Sequence, residues 1–213
     1  MRILAVSDMH GNLTAAHEAV RIAGPDLALC CGDWGDPGEM DAGALGRILA
    51  DSIVFSVYGN HDDLDMLSAA RNRDGTPILL GQGEVREWRG LRFAGISGIW
   101  AKSHRKPYYV TDDDVERLAS DIASRGADVF LSHGCPVGLA DTIPGGRHGG
   151  QRCFLDALHI VHPRLYLCGH LHVAQQRVLK DGQVVINAGY ACKGDYWVID
   201  LRPDEITSEH HSL

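Results

Sequence analysis

The sequence lacks several features that would assign the chain to a common class of proteins. It contains no Cys-x-x-Cys pair, no apolar run long enough to span a bilayer, and no excess of positive charge. With a formal net charge of −8, the chain does not offer the broad basic surface that holds extended nucleic acid by its phosphates. Its six cysteines show no regular spacing, so we expect reduced thiols and a cytoplasmic protein.

The composition is that of an ordinary globular protein. Hydrophobic residues make up 45% of the 213 residues and charged residues 23%, which predicts one domain over residues 1–213 with a sizeable core. The apolar start of the chain is interrupted at Ser7 and Asp8, so we expect no signal peptide. The 12 histidines stand out, and several lie beside Asp, Asn or Gly, which points to metal or proton chemistry.

Hydrophobic patterning predicts an α/β protein. Short apolar runs predict strands buried on both faces at residues 3–6, 27–31, 53–58, 128–131 and 165–168. Helical spacing lies at residues 13–23, 43–51, 115–124 and 154–161, with a capping arrangement of Thr111 and Asp114 before the third. Residues 85–88, 91–95, 175–179, 183–187 and 197–201 read as paired strands joined by turns, including a hairpin turn at Asp181 and Gly182. We therefore expect mixed sheets with helices outside.

Five of the apolar runs lead directly into residues that can bind metal. These residues are Asp8 and His10, Asp33, Asn60 with His61 and Asp62, His133, and His170 with His172. Taken singly, each is more often a cap or a turn former. Ligands in open α/β sheets gather at the carboxyl ends of strands, so we expect the five loops to converge on one crevice.

The residue types limit which metals fit. Imidazole and carboxylate donors without thiolate favour Mn, Fe, Zn or related divalent ions, and the ligands outnumber what one tetrahedral zinc requires. Two ions are therefore expected, about 3.5–4 Å apart and joined by a bridging carboxylate. Asp36, three residues after Asp33, is expected to serve a turn or a helix cap instead.

The motifs resemble the signature of the calcineurin-like metallophosphoesterases. The matching segments are Asp8-Met9-His10, Gly32-Asp33, Gly59-Asn60-His61-Asp62, Ser132-His133-Gly134 and Gly169-His170-Leu171-His172, followed by Ile186-Asn187-Ala188-Gly189. The resemblance covers nearly the whole chain. It implies a layered β-sandwich of mixed sheets flanked by helices.

The resemblance also implies a role for each motif residue. Asp8, His10 and His172 would hold one ion, Asn60, His133 and His170 the other, and Asp33 would bridge them. His61 would stabilise the phosphate or protonate the leaving oxygen, oriented by Asp62. A hydroxide held between the ions would attack phosphorus. Mn is the preferred ion, with Fe, Zn, Ni or Co as alternatives.

Two loops outside the motifs are candidates for substrate contact. Residues 100–109 combine basic and aromatic side chains, which suit a phosphate and a stacked base, or a solvated surface loop. In residues 141–150, Arg147 and His148 are expected to bind substrate, and Gly149 and Gly150 could let the backbone approach a phosphate; the alternative is a flexible connector. The remaining histidines are expected to be structural or exposed: His17, His159 and His162 in helical patterns, and His210 and His211 in a polar tail.

The expected reaction is hydrolysis of a small phosphodiester or nucleotide. A nuclease, a phosphomonoesterase and a protein phosphatase are the alternatives within the enzyme class, and a non-catalytic metal-binding scaffold is the alternative outside it. The scaffold reading would be favoured by loss of a ligand, and none is lost here. The His-x-His-x-Asp-His run of the metallo-β-lactamase type is absent. We expect no membrane partner, and the sequence does not predict an oligomeric state.

Overall fold

Two mixed β-sheets form the centre of the structure, a computed structural model that describes residues 1–213. The strands are β1 (Arg2–Val6), β2 (Leu27–Cys30), β3 (Ile53–Ser56), β4 (Val85–Trp88), β5 (Leu91–Ile96), β6 (Ile99–Trp100), β7 (Tyr109–Val110), β8 (Val129–Ser132), β9 (Thr142–Ile143), β10 (Arg147–His148), β11 (Leu165–Cys168), β12 (Gln175–Val178), β13 (Val184–Asn187), β14 (Asp195–Leu201) and β15 (Ile206–Ser212). The helices are α1 (Leu13–Ala23), α2 (Ala42–Asp51), α3 (Leu64–Ala69), α4 (Asp112–Arg125) and α5 (Arg152–Val161), and a 3₁₀ turn covers Ala191–Lys193.

The strand order places the central strands parallel in both sheets. One sheet has the order β15-β14-β1-β2-β3, and the other β12-β13-β11-β8-β5-β4. Strands β1, β2 and β3 run parallel, as do β5, β8, β11 and β13. Antiparallel strands lie at the margins of both sheets. Because parallel strands end at the same edge, the loops after β1, β2 and β3 lie together, and so do those after β8 and β11.

Three buried clusters explain why the central strands are apolar on both faces. Ile3 of β1 and Leu167 of β11 belong to one cluster that lies between the sheets. Leu4, next to Ile3 in sequence, packs towards α1 and α2 in a second cluster. Phe130 of β8 packs towards α4 and α5 in a third cluster. Alternate side chains of one strand thus enter different layers. The predicted layered α/β sandwich of mixed sheets flanked by helices is confirmed.

Local signals position the helices. Thr111 caps α4, and Asp114 completes a capping box by accepting from the Thr111 amide at 2.9 Å, as the sequence predicts. Asn12 and Asp41 cap α1 and α2 through their side-chain oxygens. Gln151, in the N-cap position of α5, forms no side-chain cap, so packing of the apolar face of α5 carries more of its stability.

The structure differs from the sequence-based description at three elements, and one stated expectation is wrong. Helix α3 was not predicted, because six residues carry too little periodicity. Strand β14 pairs with β1 and β15, not with the strand that precedes it. His210 and His211 lie in β15 rather than in a polar tail, and His210 Nε2 lies 3.0 Å from Asp195 Oδ1. An edge strand with one solvated face gives a weak apolar signal.

All six cysteines are free thiols, and five of them are buried. They behave as small apolar residues. None of the five helices combines the length and the apolar character needed to cross a membrane.

Candidate metal centre

The candidate ligands come from both sheets and meet at one edge of the sandwich. Asp8 and His10 follow β1, Asp33 follows β2, and Asn60 follows β3. His133 follows β8 in the second sheet, and His170 and His172 follow β11. The structure thus brings together the loops that the sequence predicted to converge.

These loops have an unusual backbone. Eight non-glycine residues of the chain have a positive φ, and five of them are candidate ligands: Asp8, His10, Asp33, His170 and His172. A left-handed conformation in a residue with a β-carbon costs free energy and persists only where surrounding contacts hold it. Such concentration at one place is typical of a functional site.

The first group of candidate ligands comprises Asp8, His10 and His172. The Nε2 atoms of His10 and His172 lie 3.3 Å apart. Asp8 Oδ1 lies 3.2 Å from His172 Nε2 and 3.9 Å from His10 Nε2. Three donor atoms therefore face one point, within the reach of a single ion.

The second group comprises Asp33, His133 and His170. His133 Nε2 lies 3.2 Å from His170 Nδ1 and 3.3 Å from Asp33 Oδ2. The same Asp33 oxygen lies 3.8 Å from His10 Nε2 in the first group. Asp33 Oδ1 accepts from the amides of Asn60 and His61, both at 2.8 Å. One oxygen of Asp33 is thus fixed by the backbone, and the other lies between the two groups.

The buried oxygens of the centre fit divalent cations. Asp8 Oδ1 and Asn60 Oδ1 are buried and have no hydrogen-bond partner in the protein. Asp8 and Asp33 are 0% and 1% exposed, and neither forms an ion pair with a lysine or arginine. Buried carboxylates and orphaned oxygens are costly unless a cation or a hydrogen bond satisfies them. The donor set and its unmet demand for positive charge therefore suit two divalent ions.

Glycines in the motifs allow this close approach. A β-carbon on Gly59 would lie 2.7 Å from the His133 ring and would collide with Asp33 Oδ1. A β-carbon on Gly169 would collide with Ser7 Oγ and lie 2.7 Å from Asp8 Oδ2. The glycine that precedes a ligand is therefore a packing requirement of the centre.

Outer contacts fix the orientation of the imidazoles. His133 Nδ1 donates to the Cys31 carbonyl at 2.8 Å, which leaves Nε2 facing the centre. Burial opposes protonation of His133, but the hydrogen bond and charge of Asp33 outweigh it and raise its pKa to about 9. Burial and the charge of His133 lower the pKa of His170 to about 4. Burial also opposes ionisation of Asp33, yet His133 holds the pKa of that carboxyl well below its usual range.

His61 points into the cleft beside the centre. Its Nδ1 lies 3.0 Å from Asp36 Oδ2, and the ring is about half exposed. The Asp36 hydrogen bond raises the pKa of His61, more than burial lowers it. Asp36 therefore orients His61, and it also begins a turn, as expected from the sequence, because its carbonyl accepts from the Glu39 amide at 2.9 Å.

Asp62 does not orient His61, contrary to the sequence-based expectation. Its carboxylate accepts from the backbone amides of Asp33 at 3.0 Å, Trp34 at 2.6 Å and Gly59 at 2.6 Å. Burial raises its pKa to about 7, although the Gly59 amide acts in the opposite direction. Asp62 ties the loops after β2 and β3 together, so it supports the ligands rather than the imidazole. The position of Asp62 directly after His61 did not predict a contact between them, because neighbouring side chains in a turn point in different directions.

Tyr190 belongs to the centre although no sequence pattern singled it out. Its ring stacks on His172 with centroids 4.1 Å apart and an interplanar angle of 3°. It also meets the His10 ring edge-on at 5.9 Å. The next amides, of Ala191 and Cys192, donate to the carbonyls of Ser7 and Asp8 at 3.0 and 3.1 Å. The only signal available was its position directly after the Asn187-Ala188-Gly189 segment.

The two candidate substrate loops lie on different sides of the centre. Pro107 and Tyr108 line a cleft of about 510 Å³ together with Asn60, His61 and Asp36. On the other side, Gly149 packs against Leu171, which separates His170 from His172.

The second loop is held by internal bonds. The amides of Gly149 and Gly150 donate to the Asp141 carbonyl at 2.9 Å and to Asp141 Oδ2 at 3.0 Å. They are therefore not free for a phosphate, contrary to the sequence-based expectation. Arg147 and His148 are exposed on β10, so both side chains remain accessible.

Comparison with known proteins gives a consistent result. The family model described as calcineurin-like phosphoesterase matches residues 1–174. The lariat debranching enzyme of Caenorhabditis briggsae is 24% identical over 81% of this chain and 46% of its own length, and that of Arabidopsis thaliana is 28% identical over 66% and 44%. The chain spans about half the length of these curated relatives. The crystal structure of TT1561 of Thermus thermophilus has the same fold, with a TM-score of 0.75 at 17% identity over 98% of this chain and 97% of that one.

Proposed function

The chain belongs to the calcineurin-like phosphoesterase family, a family of phosphoester hydrolases, and from that premise we propose that it hydrolyses a small phosphodiester with two divalent ions, Mn being the preferred metal. The observation that carries the proposal is the pair of adjoining ligand groups, Asp8-His10-His172 and Asp33-His133-His170. Asn60, with its buried and unpartnered Oδ1, completes the second group. The contact of Asp33 Oδ2 with both groups supports its role as the bridge.

Each residue has a separate task in the reaction. Two divalent ions bound there would activate water as a nucleophile and neutralise charge on the phosphate. His61 donates a proton from Nε2 to the leaving oxygen while the phosphorus–oxygen bond to that group breaks and the oxygen of water forms the new bond. Asp36 holds Nδ1 of the same ring, which keeps the proton on Nε2 aimed at the cleft.

Charge in the cleft supports a diester over a monoester. Four carboxylates line it, those of Asp36, Asp62, Asp63 and Asp65, and no lysine or arginine does. A phosphodiester carries a single negative charge near neutral pH, whereas a monoester carries close to two. Repulsion between like charges therefore disfavours the monoester more strongly. Tyr108 in the same cleft offers a face on which an aromatic leaving group or base could stack.

Hydrolysis of aryl esters tests the reaction. With Mn, bis(4-nitrophenyl) phosphate should be cleaved with a higher kcat/KM than 4-nitrophenyl phosphate. Asp33→Asn should lower the diesterase rate by more than about a hundredfold, because it removes the charge that binds both ions. His159→Gln on the exposed side of α5 is the matched control and should keep the wild-type rate.

Metal analysis tests the binuclear centre separately. Protein purified without chelator should contain close to two divalent ions per chain. A single ion at full activity would contradict the proposed bridge, and a preference for the monoester would contradict the choice of substrate.

Branched nucleic acid is a second candidate substrate, because the curated relatives are named lariat debranching enzymes. Their matched region covers less than half of each relative, so the activity of the whole relatives comes to this chain only as a candidate. A short branched oligonucleotide should therefore be assayed beside its linear isomer. Selective cleavage at the branch would favour this candidate over a small diester.

A further inference from the structure

A second pocket, which the chemistry above does not use, begins three residues along the chain from the candidate ligand His172. It has a volume of about 390 Å³ and lies between the β9–β10 ribbon and β12. The Gln175 side chain binds the ribbon at the backbone of Thr142. Its Oε1 accepts from the Thr142 amide at 3.1 Å, and its Nε2 donates to the Thr142 carbonyl at 2.7 Å. Gln175 follows His172 by three residues, which limits the separation along the chain to roughly 10 Å. A substrate bound at the metal centre can therefore reach this pocket.

Arg177 supplies an uncommitted positive charge to the pocket. It lines the pocket and is exposed, and its guanidinium forms no ion pair and no hydrogen bond within the chain. Arg86 and Arg92, by contrast, are each paired with a carboxylate. A planar guanidinium without a partner is suited to bidentate recognition of phosphate.

His148, on β10, lines the same pocket, and a hydrogen bond fixes its ring. Its Nδ1 lies 2.7 Å from Oδ1 of Asp141, whose side chain is only 1% exposed, while the His148 side chain is 54% exposed. Asp141 Oδ2 is occupied by the Gly150 amide. The buried carboxylate thus fixes the ring through Nδ1 and leaves Nε2 without a partner within the chain.

The charges on the two sides of the metal centre are opposite. The cleft beside His61 is lined by four carboxylates and by no lysine or arginine. The pocket that follows His172 along the chain is lined by the positively charged Arg177 and by no acidic residue. An anionic extension of a substrate is therefore repelled on the His61 side and attracted on the other.

We propose that the pocket lined by Arg177 and His148 binds a second phosphate group of the substrate. This inference rests on the proposed function, and it determines which end of the substrate lies on each side of the metal centre. The leaving group, which takes its proton from His61, carries no phosphate. The second phosphate belongs to the part that stays attached to the scissile phosphorus.

A matched pair of nucleotide esters tests the inference. The substrates are thymidine 5′-(4-nitrophenyl phosphate) and the same ester with a phosphate on its 3′ oxygen, since both release nitrophenol and differ only on the retained side. Wild-type protein should show roughly a tenfold higher kcat/KM for the 3′-phosphorylated ester, as expected for one charge-assisted contact. Arg177→Gln should reduce this ratio to near one. Arg117→Gln on the surface of α4, also exposed, should preserve it.

Binding without turnover separates this inference from the proposed function. Calorimetry on metal-loaded protein should show thymidine 3′,5′-bisphosphate binding roughly tenfold more tightly than thymidine 5′-monophosphate, neither of which contains a diester to cleave, and Arg177→Gln should remove the difference. That result without any hydrolysis would overturn the proposed function and support the pocket. Hydrolysis of both esters at equal kcat/KM, or a ratio that survives in Arg177→Gln, would overturn the pocket and leave the proposed function standing.

Discussion

At the scale of single residues, the pair of Asp36 and His61 sets the pH range of the proposed reaction. The general acid must be protonated, and the Asp36 hydrogen bond raises the pKa of His61. Protonated His61 therefore persists to higher pH than an isolated imidazole. In Asp36→Asn the pKa of His61 should fall, and the alkaline limb of the pH–kcat profile should move to lower pH.

The measurement requires a substrate with a poor leaving group, such as a dinucleoside monophosphate, because only then does proton donation limit the rate. Asp65→Asn removes a carboxylate from the same cleft without touching His61, so it controls for the general loss of negative charge. An alkaline limb that moves equally in both variants would mean that Asp36 acts only through long-range charge.

Tyr190 should matter through its ring rather than its hydroxyl. The ring stacks on His172 and meets the edge of His10, so it restrains two candidate ligands of the first group. Tyr190→Ala should weaken Mn binding in the first group about two- to tenfold, the value of one aromatic contact. Tyr190→Phe keeps the stacking and should bind like the wild type. Titration of Mn, followed by its paramagnetic resonance, distinguishes the two variants, and equal loss in both would assign the effect to the hydroxyl.

At the scale of elements, the start of α4 carries a pH-dependent part of the stability. Asp114 accepts from the amide and hydroxyl of Thr111 and from His104. Burial opposes ionisation of Asp114, but these bonds outweigh it and lower its pKa to about 2. A depressed folded-state pKa stabilises the fold above the unfolded value near 4, and the stabilisation is lost as the pH falls towards 2.

Asp114→Asn should therefore cost about 1 kcal/mol of unfolding free energy at pH 7, the usual value of a helix cap. The difference from wild type should shrink below about pH 4. Urea unfolding at a series of pH values measures it, with Asp113→Asn in the same first turn as the control. A cost that does not change with pH would show that packing, not the charge, is responsible.

The sequence predicted elements best where one face or both faces are buried. Helix α1 and strand β11 have the predicted bounds, because their apolar periodicity is complete. The approach of the ligand loops was also predictable, since each ligand directly follows a buried strand. The hydrogen-bond partner of His61 was not predictable, because Asp36 reaches it only through the packing of the loop after β2 against the loop after β3. The role of Tyr190 could not be predicted for a similar reason. It reaches the centre through pairing of β14 with β1, a contact between distant parts of the chain.

At the scale of the whole molecule, ions in the centre would join the two sheets. Asp8, Asp33 and Asn60 extend from one sheet, and His133, His170 and His172 from the other. A cation that binds only the folded chain stabilises it by about 2.7 kcal/mol at a hundred times its dissociation constant. The melting temperature should therefore rise with Mn concentration and fall on chelation.

Calorimetric melting with increasing Mn checks this effect. Asp33→Asn should respond much less than wild type, because its oxygen lies between the two ligand groups. Asp65→Asn, a carboxylate outside those groups, should respond like the wild type. A melting temperature that does not depend on Mn would contradict the joining of the sheets by metal.

The bonds from Ala191 and Cys192 to Ser7 and Asp8 have a consequence for the order of events during synthesis. A nascent chain that has emerged as far as His172 already carries every proposed ligand. The loop of Asp8 nevertheless still lacks the amides of Ala191 and Cys192, and β1 still lacks β14 as its neighbour. Because strand pairing between distant segments forms late, the centre reaches its final shape only after residues 190–201 have left the ribosome. Metal capture would then mark the completion of folding rather than its nucleation.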